Sequence, residues 1–137
     1  MKQRFDPIRD KSGEIIECLM SSPDMPQDEG LLFKIRLSIE EAVENVVRYA
    51  YETGNGWMEV STALDPDNFA LTIELRDAGT PFNPLEREDP DISLAAEDRA
   101  IGGLGIFLCK QLMDDIAYRY ADGCNILTMK KNVAIAG

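Results

Sequence analysis

Glu41-Ala42-Val43-Glu44-Asn45-Val46-Val47-Arg48-Tyr49-Ala50-Tyr51 (EAVENVVRYAY) is the stretch on which the reading of the chain turns. Ile35, Ile39, Ala42, Val43, Val46 and Ala50 recur at helical spacing and form one apolar stripe. The spacing predicts a long helix from about Gln27 to Glu52, closed by Thr53-Gly54-Asn55-Gly56. Glu41, Asn45 and Arg48 fall at i, i+4 and i+7, on one face opposite that stripe.

Outward from this helix the period changes. Met58, Val60, Thr62 and Leu64 alternate with Trp57, Glu59, Ser61 and Ala63. After Asp65-Pro66-Asp67-Asn68 the alternation resumes from Phe69 to Arg76, the pattern of a hairpin. Ala78 to Gly103 is irregular, with Gly79, Pro81, Pro84 and Pro90 and one short helix expected over Ile92–Arg99. A segment of this length inside a domain reads as a lid over a site. A helix is expected from Gly105 to Met113, then strands over Ile116–Tyr120 and Asn125–Met129 joined at Asp122-Gly123. Near the N-terminus, Ile8, Ile15, Ile16, Leu19 and Met20 suggest a short amphipathic helix before Ser21-Ser22-Pro23. The expected class is α+β, a two-layer sandwich with helices on one face of a mostly antiparallel mixed sheet. It is read as a single domain over residues 1–137, with 1–25 as an N-terminal segment and 78–103 as the lid.

Composition removes several functions. The 137 residues carry a net charge of −11, which argues against a direct nucleic-acid binder. There is no histidine, so no phosphohistidine or histidine metal site can be built from this chain. No apolar run is long enough for a membrane span, and the N-terminus MKQRFDPIRDKSGE lacks an apolar signal core, so a cytoplasmic location is expected. Cys18, Cys109 and Cys124 are too scattered for a disulfide framework and read as reduced core thiols.

Three segments carry possible chemistry. Glu41 and Asn45 offer a carboxylate and a carboxamide one turn apart, suited to orienting a nucleophile and ligating Mg²⁺, though a solvated helix face reads the same way. Asp77-Ala78-Gly79 leaves a strand end, where Asp77 can accept from an exocyclic amine and Gly79 lets a ring approach the backbone; a plain turn is the alternative. Gly102-Gly103-Leu104-Gly105 opens a helix, whose backbone N–H groups favour an anion. It is neither a Walker A loop nor a dinucleotide fingerprint.

In combination, Glu41–Tyr51, Asp77–Leu85 (DAGTPFNPL) and Asp98–Tyr118 (DRAIGGLGIFLCKQLMDDIAY) make the chain resemble the histidine-kinase-like ATPase superfamily, and within it the anti-sigma-factor serine/threonine kinases. The resemblance runs from about residue 28 to 131. It implies ATP and Mg²⁺ as cofactors, Asn45 as metal ligand and Glu41 as the catalytic carboxylate. It implies Asp77 and Gly79 at the adenine, Gly103 and Gly105 at the phosphates, and Arg99 or Lys110 as phosphate contacts. The implied partners are an anti-anti-sigma protein as substrate, a sigma factor that is sequestered, and a second copy in a homodimer. Tyr49 and Phe107 stand where many members carry histidine, and Asn83 replaces a common aspartate. The segment before the long helix is short for the family, whose first strand is not legible here. A non-catalytic ATP- or partner-binding module, or an ATPase without a protein acceptor, would carry the same motifs.

Overall fold

The computed structural model describes residues 1–53, 55–86 and 103–134. The long helix, α2, spans Glu29–Tyr49 and starts where Asp28 accepts a hydrogen bond from the Leu31 N–H at 2.9 Å. That cap satisfies one of the orphan donors of the first turn. Ile35, Ile39, Ala42 and Val43 of α2 are fully buried, as the stripe requires.

Among the described residues five strands form one sheet: β1 (Lys2–Phe5), β2 (Met58–Asp65), β3 (Ala70–Asp77), β4 (Asp115–Ala121) and β5 (Cys124–Asn132). Their order is β1-β2-β3-β5-β4, and the four pairings are antiparallel. Register puts Val60 opposite Leu75, Leu75 opposite Leu127, and Ile73 opposite Met129. Because side chains alternate faces, these positions share one side of the sheet. Helices α1 (Ser12–Met20), α2 and α3 (Gly103–Leu112) cover that side, and their apolar residues join it in one core. A fully buried Leu, Ile or Val in such a layer contributes about 1.5–3 kcal/mol.

The expected α+β two-layer architecture is therefore the observed one, with local corrections. A strand does precede the long helix: β1 pairs with β2 along the sheet edge, held further by the N-terminal amine of Met1 donating to the Thr62 carbonyl at 3.0 Å. It carries no alternating signal because three of its four residues are exposed. Ile8 is buried in the loop before α1 rather than in a helix. Phe69 belongs to the β2–β3 turn, not the strand, and adopts a positive φ of 52°. α3 begins at Gly103, two residues before the expected start. The helix expected over Ile92–Arg99, and most of the expected lid, lie outside the described residues.

Candidate functional site

Asp77 ends β3 on the helix-covered side of the sheet, 4% exposed. Across the ladder it faces Asn125 of β5. Its Oδ1 accepts from the Gly79 N–H and from Asn125 Nδ2, each at 2.9 Å. Its Oδ2 has no hydrogen-bond partner among the described residues and is an acceptor left open beside a cavity. Burial raises the Asp77 carboxyl above its ordinary value, opposed by the bonds from Asn125 and Gly79.

The Asp77–Thr80 turn is fastened to the end of α2. Thr80 N–H donates to the Ala50 carbonyl at 2.9 Å. The Tyr51 hydroxyl accepts from the Ala78 N–H at 2.8 Å and donates to the Trp57 carbonyl at 2.7 Å. Gly79 lies against the Ala50 backbone with no room for a Cβ, so the sequence needs glycine there.

Cavities among the described residues follow from this arrangement. The first, about 30 Å³, is a slot whose walls include Asn45, Ala50, Asp77, Phe82, Tyr118 and Asn125. The rings of Tyr49 and Phe82, both on its wall, stand 6.2 Å apart at 37°. The second, about 230 Å³, is lined by Glu41, Glu44, Asn45, Arg48, Tyr49 and Ile106. Asn45 and Tyr49 belong to both walls, so the two cavities adjoin at these residues of α2.

The structure thus brings Glu41, Asn45, Asp77 and Gly79 to one region. The polar face of α2 is not the solvated back of that helix: α3 packs alongside α2, and Ile106 closes the larger cavity beside Glu41 and Asn45. Gly103 and Gly105 lie in the first turn of α3, next along the chain to Ile106. Ile106, one residue on, lines that cavity, and a helix N-terminus favours anions. Arg99 lies outside the described residues. Lys110 sits in the last turn of α3 and is not among the residues lining either cavity.

The donor set suits Mg²⁺ held with phosphate. Asn45, Glu41 and Glu44 present hard oxygen atoms to one cavity, and such a metal takes one or two protein ligands with phosphate oxygens and water. No group of three or more His, Cys, Asp or Glu residues forms a self-sufficient metal site among the described residues. The open Oδ2 of Asp77 matches the N–H of an exocyclic amine. Cys109 takes no part: burial, and secondarily the charge of Glu41, push its thiol up to about 12, in keeping with a reduced core residue.

Sequence reasoning missed Asn125, Tyr118 and Tyr51. Asn125 had a signal, an amide at an inward-facing position of a strand otherwise filled by Leu127 and Met129. Tyr51 had none, since Trp57 and Ala78 reach it only through the fold.

Comparison with known proteins follows the same line. The family described as "Histidine kinase-like ATPase domain" matches residues 15–131. A serine-protein kinase RsbW from Listeria monocytogenes is 31% identical over 101 residues, which cover 70% of this chain and 63% of the relative. A serine-protein kinase RsbW from Bacillus cereus is 31% identical over 98 residues, covering 70% of this chain and 61% of the relative. The serine/threonine-protein kinase BtrW of Bordetella bronchiseptica is 26% identical over 104 residues, covering 76% and 72%. The chain thus spans a little over 60% of the length of both RsbW relatives. Among solved structures, the histidine kinase domain of a blue-light activated histidine kinase from Erythrobacter litoralis superposes with a TM-score of 0.56 at 12% identity, covering 88% of this chain and 57% of that one. At that identity the likeness is one of fold.

Proposed function

Because the chain belongs to the histidine kinase-like ATPase domain family, we propose that its adjoining cavities bind Mg·ATP and that it is a protein kinase acting on a serine or threonine hydroxyl. The observation that carries this reading is the pairing of an open, buried acceptor, Asp77 Oδ2, with Asn45 on the wall of one cavity, where Asn45 also lines the neighbouring cavity with Glu41. The serine-protein kinases among its relatives support the choice of reaction.

In this reading Asp77 accepts from the adenine amine, and Gly79, packed on the Ala50 backbone, holds the turn that carries Asp77. Tyr49 and Phe82, both on the slot wall, flank the base. Asn45 holds the metal through its amide oxygen, and the first turn of α3, Gly103 and Gly105, meets the phosphates. The bound nucleotide supplies the phosphoryl group and the metal offsets its charge. Glu41, at the larger cavity, orients the incoming hydroxyl and accepts its proton. Most of the rate advantage then comes from positioning and fixed charge.

The resemblance read from the sequence extends the proposal to partners: an anti-anti-sigma protein as acceptor, a sigma factor held in a complex exclusive of it, and a homodimer in the cytoplasm. No helix among the described residues is long and apolar enough to cross a membrane.

The test is transfer of label from γ-labelled ATP, with Mg²⁺, to a purified anti-anti-sigma protein. Label on the acceptor with wild type and none with Glu41→Gln, at retained ATP affinity, is the expected result. ATP binding without transfer by the wild type points instead to a non-catalytic module. Steady phosphate release without an acceptor points to an ATPase.

A further inference from the structure

We infer that Asn125 is the positioning residue that sets the base specificity of this pocket, by holding the Asp77 carboxylate so that it offers one bare oxygen to the incoming base. This rests on the adenine-nucleotide reading above and deepens it.

Asn125 is 7% exposed and comes from an interior strand, where an asparagine has little intrinsic reason to be. Its carboxamide has two N–H groups and two lone pairs, and all four are engaged. Nδ2 donates to Asp77 Oδ1 at 2.9 Å and to the Thr80 carbonyl at 3.0 Å, with the Gly79 carbonyl at 3.4 Å. Oδ1 accepts from the Phe82 N–H at 3.1 Å and from the Tyr118 hydroxyl. Turning the amide over would set its oxygen against three acceptors and its NH₂ against two donors, so one orientation is dictated.

The consequence falls on Asp77. Its Oδ1 is saturated by Asn125 and Gly79, which leaves Oδ2 as the only side of the carboxylate able to receive a ligand. Asn125 has no donor to spare for the base. The base edge at this point must therefore bring its own N–H. An exocyclic amine does so; a ring carbonyl in the same place meets a carboxylate oxygen and is repelled. Asn125 also ties the Thr80–Phe82 loop, and hence one wall of the slot, to the same point, so the acceptor and the wall keep a fixed relation.

The experiment compares ATP with purine riboside triphosphate, which lacks only the exocyclic amine, by calorimetric titration. Wild type should prefer ATP about 10- to 100-fold, the worth of one buried hydrogen bond to a charged group. Asn125→Ala should lower that preference to about threefold or less, with ATP losing more affinity than purine riboside triphosphate. Tyr118→Phe should lower it by a smaller factor, because the Phe82 N–H still holds Oδ1. A folded Asn125→Ala that keeps the wild-type ratio, or that loses both nucleotides in parallel, overturns the inference. If Asn125→Ala does not fold, an unchanged ratio in Tyr118→Phe overturns it. A wild type that binds neither nucleotide removes the adenine reading itself, and this inference with it.

Discussion

Gly79 and the carbonyl oxygen of Ala50 lie so close that a Cβ on residue 79 would overlap that oxygen, while the next residue, Thr80, donates its N–H to the same carbonyl at 2.9 Å. The end of α2 and the turn after β3 are thus one unit. Gly79→Ala must push backbone from backbone, with no flexible side chain to yield. A stability loss of about 1–3 kcal/mol is expected from the overpacking, measured by urea unfolding. ATP affinity should fall at least tenfold, because the turn that carries Asp77 moves. Gly13→Ala is the control: nothing lies within 4 Å of a Cβ there, and the residue is inside α1. It should be stabilising by about 0.5–1 kcal/mol.

A second prediction concerns the far end of α3. Lys131, 8% exposed, donates through Nζ to the Leu112 carbonyl at 2.7 Å and lies 3.5 Å from Asp114. It closes the C-terminal end of the helix whose N-terminal turn borders the larger cavity. Lys131→Met keeps the apolar stem but leaves a carbonyl without its donor, for an expected loss of about 1–3 kcal/mol in chemical denaturation. Hydrogen exchange in α3 should accelerate more than in α2. Equal acceleration in both helices would show that Lys131 serves the whole core and not this helix end.

A third prediction is that Phe69→Gly stabilises the protein. Phe69 is an exposed aromatic held at φ 52°, in the left-handed region that disfavours a side chain. The turn keeps it there because the Phe69 N–H donates to the Asp65 carbonyl at 2.8 Å and its own carbonyl accepts from the Val133 N–H at 2.9 Å. Glycine retains both bonds without the strain. A gain of about 1 kcal/mol is expected, read as a rise in Tm, with ATP affinity unchanged. A fall in Tm would mean that the ring's packing outweighs its backbone cost.

These features differ in how far the sequence disclosed them. α2 was legible because its stripe repeats over several turns, and both hairpins because Asp65-Pro66-Asp67-Asn68 and Asp122-Gly123 leave the chain few other conformations. β1 was not, since a four-residue edge strand needs to bury almost nothing. Asp77 and Asn45 were singled out by three motifs taken together, each of which alone has a plain structural reading. Asn125 acts through a register between β3 and β5 that no local pattern encodes, and Tyr51 through two backbone groups gathered by the fold. Candidate residues in short motifs could be named from the sequence; the partners that hold them come from remote parts of the chain.

Asp77 supplies the last prediction. Burial holds its folded carboxyl above the ordinary value of 3.8, so ionisation is costlier in the folded chain than in the unfolded one. By linkage, this group penalises folding at pH above its folded value, and the penalty fades as pH falls and the carboxyl takes up a proton. Nucleotide binding runs the other way. Oδ2 accepts from an amine best when ionised, so ATP affinity should fall as pH drops through the folded value, at a pH higher than an exposed aspartate would give. Asp77→Asn separates the two effects. It removes the buried charge, so the unliganded protein should be as stable as wild type or more so at pH 7.5. It also turns the open acceptor into an NH₂ facing another NH₂, so ATP affinity should fall by about tenfold or more and lose this acid-side decline. Titrations of both proteins from pH 7.5 down to about 4, alongside urea unfolding, measure both quantities. A variant that loses stability and affinity together would make Asp77 a structural residue and not a ligand for the base.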